Sequence, residues 1–198
     1  MQDNTTNDIK APTNPNVIEL PFGSEVEGTR NGVFLILTAK APIYENHEHV
    51  PEATRPVPHR VMFMVQRWDG RVGFPGGTCE KGETRLEALK REALEEVNVD
   101  LSTYGLETAI ELCTHHIVNA KFVVHAYVRD LGEVGTSTLK EISRRAVDAD
   151  HFLSEGTPFW AHWADYGRGK GKDALLKSSG LASAVREELE AFALRFPD

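Results

Sequence analysis

Three glutamates, Glu92, Glu95 and Glu96, stand at positions i, i+3 and i+4 of the stretch EALKREALEEVNVD. In a helix these positions share one face, so the three charges repel one another. One interpretation is the exposed acidic face of a surface helix, although no basic residue follows the cluster before Asp100. The other is a site for a hard divalent cation such as Mg²⁺ or Mn²⁺, which binds carboxylate oxygens. The chemistry of such a site is phosphoryl transfer or pyrophosphate hydrolysis.

The residues around the cluster predict the helix that must carry it. Thr84 and Glu87 have the spacing of a capping box, which starts a helix. Asn98 is suited to the left-handed C-cap that ends one. Between these ends, four apolar residues recur at helical spacing and are expected to face the core: Leu86, Leu89, Ala93 and Val97. The carboxylates are therefore expected to point away from the core into solvent.

The segments before this helix predict a strand followed by a glycine-rich loop. The strand is predicted at 60–68, a turn follows at 69–71, and the loop GFPGG spans 73–77. Such a loop lets backbone carbonyl groups come close to an ion that the glutamates hold.

The rest of the chain predicts an α+β fold, in which helices are combined with a largely antiparallel or mixed sheet. Strands are predicted at 33–39, 108–118, 121–131 and 158–163, helical structure at 138–148, and an amphipathic helix at 181–196. The segment 40–60 contains four prolines and no hydrophobic period, which predicts a functional or mobile loop.

Composition predicts a globular protein of one domain. Residues 1–16 are polar and are predicted to form a disordered tail ahead of a single domain at 17–198. Two cysteines outside any CxxC pair, with no signal peptide and no membrane-length apolar run, predict the cytoplasm or the nucleus. The net charge of −8 argues against nucleic-acid binding through a broad basic surface, and leaves room for a local basic groove.

The stretch from Gly77 to Val99 resembles the signature of the Nudix hydrolases. That signature is Gly, five residues, Glu, seven residues, Arg-Glu, an apolar residue, any residue, Glu-Glu, any residue, Gly and an apolar residue. The corresponding residues here are Gly77, Glu83, Arg91, Glu92, Ala93, Glu95, Glu96, Asn98 and Val99. Asn98 is the one departure, and asparagine tolerates the left-handed conformation that glycine adopts there. The resemblance implies a mixed β-sheet sandwiched between α-helices.

The resemblance also implies a metal site for Mg²⁺ or Mn²⁺. Glu92 and Glu96 correspond to direct ligands, with Glu95 beside them, and the carbonyl group of Gly76 helps to bind the ion. His115 aligns with a histidine that lies near the metal in the resembling enzymes. The alternative for His115 is a strand histidine with no catalytic role.

The catalytic residues that the resemblance implies are Arg91, Glu92, Glu95 and Glu96. Arg91 is expected to orient the glutamates through an ion pair, and Glu83 is an outer, supporting acid. The general base stays open between a glutamate of the signature, His115 and Glu141.

Outside the signature, the chain resembles the animal Nudix enzymes that decap small nucleolar RNA and hydrolyse inosine diphosphates. The resemblance lies in MVQRWDGRVGFPGG at 64–77 and THHIVNAKFVVHAYVRDL at 114–131, and more weakly in the last helix. It implies four substrate-binding positions: Arg67, Phe74, Phe34 and Glu188. The alternative for Arg67 is a surface salt bridge, and the alternative for Phe74 is packing in the core. Position 34 has phenylalanine where the resembling enzymes have a purine-contacting histidine.

Three functions are compatible with these features. The first is metal-dependent pyrophosphate hydrolysis that decaps RNA and cleaves inosine-type nucleotides. The second is hydrolysis of ADP-ribose or noncanonical nucleotides without an RNA role. The third is binding on a catalytically inactive fold, against which the retained acids argue. The basic segment 166–177 is either an RNA contact or a solvated loop, and HEH at 47–49 is either a metal site or a surface loop. A homodimer is compatible with the resemblance, and nucleus, nucleolus or cytoplasm is the expected location.

Overall fold

The computed structural model describes residues 14–42, 48, 52–54, 57–100, 102–150, 152–163 and 171–197. Eight strands make up the sheet: β1 (Val17–Leu20), β2 (Arg30–Ala41), β3 (His59–Gln66), β4 (Val72–Gly73), β5 (Gly76–Thr78), β6 (Ile110–Ile117), β7 (Phe122–Glu133) and β8 (Thr157–His162). The α-helices are α1 (Arg85–Val97), α2 (Thr136–Ala146), α3 (Phe152–Glu155), α4 (Lys172–Leu176) and α5 (Val185–Arg195).

The sheet is mixed, and its long central strand organises the site. The strand order is β1-β6-β7-β2-β3-β4, with β5 paired to β2 and β8 paired to β3. Only the β2–β7 pairing is parallel among the pairings of the described strands. One edge of β2 follows β7 along most of its length, and the other edge is shared between β5 and β3. This sharing brings the glycine-rich segment against the centre of the sheet.

Helices cover both faces of the sheet, which confirms the predicted α+β sandwich. On one face, Leu89 and Ala93 of α1 and Ile142 of α2 pack against β2, β3 and β7. On the other face, Leu189 and Phe192 of α5 pack against the opposite sides of the same strands. The alternating side-chain directions along a strand allow one sheet to supply both cores.

The predicted ends of α1 are confirmed. The Thr84 hydroxyl accepts a hydrogen bond from the Glu87 backbone N–H, and the Glu87 side chain accepts one from the Thr84 N–H. Asn98 has the left-handed conformation, with φ 46° and ψ 36°. The predicted face needs two corrections. Leu86 is 42 % exposed, because it lies in the first turn, ahead of the buried stripe, and Glu92 is buried instead of pointing into solvent.

Several other boundaries differ from the sequence prediction. The predicted glycine-rich loop at 73–77 overlaps the short strands β4 and β5, because its backbone pairs with β3 and β2. The last helix begins at Val185 and not at 181, and β1 and the short helices α3 and α4 were not predicted. Of the predicted tail, residues 14–16 form a turn ahead of β1. Residues 1–13 lie outside the described residues.

Two predicted loops are described only in part. In the 40–60 segment, Glu52–Thr54 form one 3-10 turn, and His47 and His49 lie outside the described residues. In the 166–177 segment, the part up to 170 lies outside them, whereas Lys172 begins α4. None of the helices in the described part of the chain has both the length and the apolar composition of a membrane span.

Candidate active site

Arg91 is the centre of an acidic cluster on α1. Its Nε donates to Glu83 Oε1 at 3.0 Å, and one terminal nitrogen donates to Glu92 Oε1 at 2.9 Å and to Glu95 Oε2 at 3.1 Å. The other terminal nitrogen donates to Glu83 Oε2 and to the Thr78 carbonyl oxygen, each at 3.1 Å. The ion pair that the resemblance implied for Arg91 is therefore present, and the carboxylates raise the pKa of Arg91.

Glu96 joins this cluster to the glycine-rich strand. The Gly76 backbone N–H donates to Glu96 Oε2 at 2.8 Å. Gly76 itself pairs with Phe34 of β2 and has φ 144°. A Cβ at this position would lie 2.1 Å from the Val33 carbonyl oxygen, so only glycine fits. Glu96 is half-buried by this contact, whereas the sequence predicted an exposed side chain.

Glu92 is the most buried acid of the cluster, with 8 % of its surface exposed. Its carboxylate lies against Gly77, where an added Cβ would come within 2.5 Å of Oε1. Burial raises the pKa of Glu92, and the hydrogen bond from Arg91 partly offsets that rise. The carboxylate is therefore held close to the β5 backbone in an environment that disfavours its negative charge.

The donor chemistry of the cluster fits a hard divalent cation. Four carboxylates converge on this region, and the one guanidinium among them leaves an excess of negative charge. Oxygen donors of this kind are what Mg²⁺ and Mn²⁺ bind. Within the described residues, however, no three acidic, histidine or cysteine side chains form a preassembled metal-binding group. The hydrogen bonds to Arg91 and to the Gly76 N–H account for the present direction of the carboxylates.

The four predicted substrate-binding residues line one cavity of about 470 Å³: Phe34, Arg67, Phe74 and Glu188. Gly76, Gly77 and Thr78 of β5 line the same cavity, so it ends beside the acidic cluster. The structural roles expected as alternatives for Phe74 and Arg67 are present as well. Phe74 is 5 % exposed and packs in the core below α5, and Arg67 Nε lies 3.6 Å from Asp69 Oδ1. Each of these two side chains combines a structural contact with a place in the cavity wall.

Glu188 is a buried acid in the wall of this cavity. It is 2 % exposed, and its Oε2 atom has no hydrogen-bond partner. Burial raises the pKa of Glu188 well above its usual value, and the neighbouring Glu187 raises it further. The protonated form is thus favoured, and a protonated carboxyl group can donate a hydrogen bond as well as accept one.

His115 lines a different cavity from Gly76 and the four substrate-binding residues. It lines a second cavity, together with Glu19 of β1 and Glu187 and Glu190 of α5. The side chain is 4 % exposed, its Nδ1 has no partner, and burial lowers its pKa. Glu141, another predicted candidate for the general base, forms an exposed ion pair with Arg145 on α2.

Other residues of the main cavity were missed by the sequence analysis. Arg30 lies at the start of β2 with its guanidinium carbon 5.5 Å from the centre of the Phe122 ring. Arg71 follows the turn between β3 and β4. The DGR turn pointed to a loop at that position, but neither arginine belongs to a motif that marks it as a cavity residue.

Comparison with protein families identifies the family of the central part of the chain. Residues 39–157 match the family model described as "Nudt16-like: U8 snoRNA-decapping enzyme-like". A U8 snoRNA-decapping enzyme of Homalodisca vitripennis is 36 % identical over 98 residues, which cover 50 % of this chain and 51 % of that protein. The chain thus spans about half the length of that relative. The mouse enzyme of the same name is 31 % identical over 142 residues, covering 68 % of this chain and 70 % of the relative.

Comparison with solved structures shows the same fold. A mutT/nudix family protein from Listeria innocua superposes with a TM-score of 0.52 at 13 % sequence identity. The match covers 84 % of this chain and 92 % of the bacterial protein. At this identity the comparison establishes the arrangement of strands and helices only.

Proposed function

The chain belongs to the Nudt16-like family of Nudix hydrolases, and from that membership we propose that it hydrolyses the pyrophosphate linkage of capped RNA. The proposal includes activity on inosine diphosphate-type nucleotides. It follows the sequence resemblance and the name of the relatives, which are U8 snoRNA-decapping enzymes.

One observation carries the proposal: the aromatic and arginine-lined cavity ends at the acidic cluster. Gly76 belongs to both, since it lines the cavity and its N–H binds Glu96. A nucleoside held between Phe34 and Phe74 would place its phosphates toward β5, because the guanidinium of Arg67 and the β5 backbone line the same space. Stacking on an aromatic ring is tolerant of the base. This arrangement suits a base joined to a pyrophosphate.

The chain supplies positioning and charge for the reaction. In hydrolysis, a water oxygen forms a new bond to one phosphorus, the bridging P–O bond breaks, and the departing phosphate keeps the electron pair. The water proton passes to a base, for which the glutamates of the cluster are the nearest candidates. Arg91 fixes Glu92 and Glu95 in place, and the Gly76 N–H fixes Glu96.

The excess carboxylate charge implies a divalent cation, for which Glu92, Glu95, Glu96 and the Gly76 carbonyl group are the proposed ligands. When bound, Mg²⁺ or Mn²⁺ would lower the pKa of water and neutralise the charge on the departing phosphate. Nudix enzymes generally use divalent metal ions. The sequence predicts that His115 lies near the metal, but it lines a separate cavity from Gly76 and is not among the proposed ligands.

Base selection is proposed for Glu188. A protonated carboxyl group in the cavity wall can donate to a carbonyl oxygen of the base and accept from a ring N–H. A base without matching groups would leave this buried acid unpaired, which is the main source of strong discrimination in such sites. The proposed setting is the nucleus, including the nucleolus, or the cytoplasm, and a homodimer is compatible with the proposal.

The test compares the wild type with Glu96→Gln. Glutamine keeps an oxygen that can accept from the Gly76 N–H, so the fold should remain while the negative charge is lost. We expect hydrolysis to fall by more than about 100-fold, because losses of about 10–100-fold already follow changes to groups that only support a metal ligand. Glu133→Gln, at an exposed position at the end of β7, is the matched control.

Capped RNA and inosine diphosphate are assayed with Mg²⁺ or Mn²⁺, and the products are identified by mass spectrometry. Release of the cap nucleoside as its diphosphate, with 5′-phosphorylated RNA as the other product, by the wild type and the Glu133→Gln control supports the proposal. Normal turnover by Glu96→Gln would contradict the assignment of the acidic cluster. Cleavage of free nucleotides alone would support the second function, hydrolysis of small nucleotides without an RNA role.

A further inference from the structure

A second cavity adjoins the proposed nucleotide cavity on the other side of β5. It has a volume of about 410 Å³, and Arg30 and Thr78 line both cavities. Gly76 and Gly77 face only the nucleotide cavity, whereas Cys79 and Glu80, which follow Thr78 directly, face only the second. The two spaces are therefore neighbours along the strand that carries the proposed site of reaction.

The acidic cluster lies at the boundary between the two cavities. Glu83 lines the second cavity and binds Arg91, which also binds Glu92 and the Thr78 carbonyl oxygen. Glu92 in turn lies against Gly77 in the wall of the nucleotide cavity. A pyrophosphate at this boundary would have one of its substituents in each cavity.

Three cations and three carboxylates line the second cavity, and two of the cations form no ion pair in the described part of the chain. Arg85 pairs with Glu25 at 3.3 Å, and Glu83 shares Arg91 with Glu92 and Glu95, so each of these two lining carboxylates has a cationic partner. Arg30 and Lys81 form no ion pair with any carboxylate of the described residues. Of the acids in the cavity, Glu80 is the one whose carboxylate forms no ion pair in the described part of the chain. Among the lining side chains without an ion pair, there are thus two cations and one carboxylate.

Local contacts hold this second cavity in shape. The Arg85 guanidinium donates to the Gly23 carbonyl oxygen at 2.9 Å, and the Gly23 N–H donates to Glu111 at 3.0 Å. These bonds attach the segment between β1 and β2 to α1 and β6. The ring of Phe122 lies under the Arg30 guanidinium. The cation that both cavities share is therefore positioned by packing.

We propose that this second cavity binds the RNA side of the cleaved pyrophosphate, with Arg30 and Lys81 on its phosphates. The inference rests on the proposed function and names the substrate class of the same site. A free nucleoside diphosphate has nothing to place in this cavity. Capped RNA, in contrast, has a further nucleotide and its phosphodiesters that can occupy this cavity. Guanidinium and ammonium groups are the usual partners of such phosphates.

The test measures binding separately from turnover. In the Glu96→Gln background, dissociation constants for a short capped RNA and for inosine diphosphate are measured by fluorescence anisotropy and by competition. The double substitution Arg30→Ala with Lys81→Ala should weaken capped RNA about 10-fold more than inosine diphosphate, since each lost charged contact is worth several-fold. Lys140→Ala with Arg144→Ala, two exposed cations on α2, is the matched control.

A cap dinucleotide identifies the part of the substrate that the cavity binds. Equal weakening of dinucleotide and RNA assigns the cavity to the first nucleotide, and weakening of RNA alone assigns it to the following phosphodiesters. Equal affinity losses for capped RNA and inosine diphosphate, or none for either, would overturn the inference. Failure of the proposed function is separate, because it would appear as intact capped RNA after incubation with the wild type.

Discussion

At the scale of single residues, the acids of this protein differ in environment more than in type. Glu92 and Glu188 are both buried and both have raised pKa values, yet Glu92 has Arg91 as a partner and Glu188 has an unpartnered oxygen. Burial disfavours a carboxylate in each case, and only a nearby cation offsets it. The two buried acids thus differ in their partners: Glu92 is bound to a guanidinium, whereas burial without a cation favours the protonated form of Glu188.

Glu188→Gln should change stability in a pH-dependent way. Because the pKa of Glu188 is raised in the fold, the unfolded chain loses this proton first, once pH passes about 4.3. The stability contributed by the protonated form is therefore complete below that pH and is lost as pH rises through the folded-state pKa. Each pKa unit of difference corresponds to about 1.4 kcal/mol at higher pH.

The measurement is thermal unfolding of the wild type and Glu188→Gln between pH 4 and 8. We expect similar Tm values at the acid end and a gap in favour of glutamine that widens toward neutral pH. A gap that stays constant across this range would show that Glu188 does not titrate differently in the folded and unfolded chains.

At the scale of elements, the β2–β5 pairing builds the site. Gly76 and Gly77 pair with Phe34 and Val33. This register brings the β5 backbone against the side chains of α1, so that one glycine meets Glu96 and the next meets Glu92. The helix alone would leave the acids as a solvated surface. The strand covers Glu92 and Glu96 and places them beside the end of the cavity that Gly76 and Gly77 line.

The two glycines should respond differently to alanine. In Gly76→Ala the new Cβ would meet the Val33 carbonyl oxygen at 2.1 Å, and the backbone of β2 cannot move away cheaply. We expect a loss of roughly 2–4 kcal/mol in the free energy of unfolding, from strain and overpacking together. In Gly77→Ala the nearest atoms are the Glu92 carboxylate, 2.5–2.6 Å away, at the end of a side chain.

For Gly77→Ala we therefore expect a displaced Glu92, stability within about 1 kcal/mol of the wild type, and activity lower by about 10–100-fold. Urea unfolding and steady-state kinetics on the same preparations separate the two effects. Equal behaviour of the two variants in both assays would contradict the register-based account.

At the scale of the whole molecule, the net charge is negative while cations are present in both cavities. The net charge is −8, but Arg30, Arg67 and Arg71 line the main cavity and Lys81 lines its neighbour. The net charge does not favour a broad electrostatic attraction to RNA, so we expect the affinity for RNA to come from contacts inside the two cavities. Salt weakens such contacts, because binding releases counterions from the phosphates and this release is less favourable at higher salt.

The salt dependence that Arg30 and Lys81 contribute to RNA binding should be shallow. Two single-strand phosphate contacts predict a slope of about −1.4 in log K against log salt, or about sevenfold weaker binding between 50 and 200 mM. The Arg30→Ala and Lys81→Ala double variant should lose most of this slope. A steeper slope that the double variant keeps would place the RNA contacts elsewhere.

The local parts of the site could be read from the sequence. The capping box at Thr84 and the left-handed Asn98 are properties of neighbouring residues, and each predicted one end of α1 correctly. The strands β2 and β3 followed from their apolar runs for the same reason. Such patterns involve residues only a few positions apart along the chain, so they can be recognised from the sequence alone.

The tertiary structure alone decided how these parts meet. The sequence predicted solvent around Glu92 and Glu96, because a helical period does not show that β5 covers that side of α1. It left Arg30 unmarked, because nothing near it in the chain reveals the Phe122 ring or the shared wall of two cavities. Burial, strand register and cavity walls join residues far apart in sequence, and only packing of the whole chain determines those contacts.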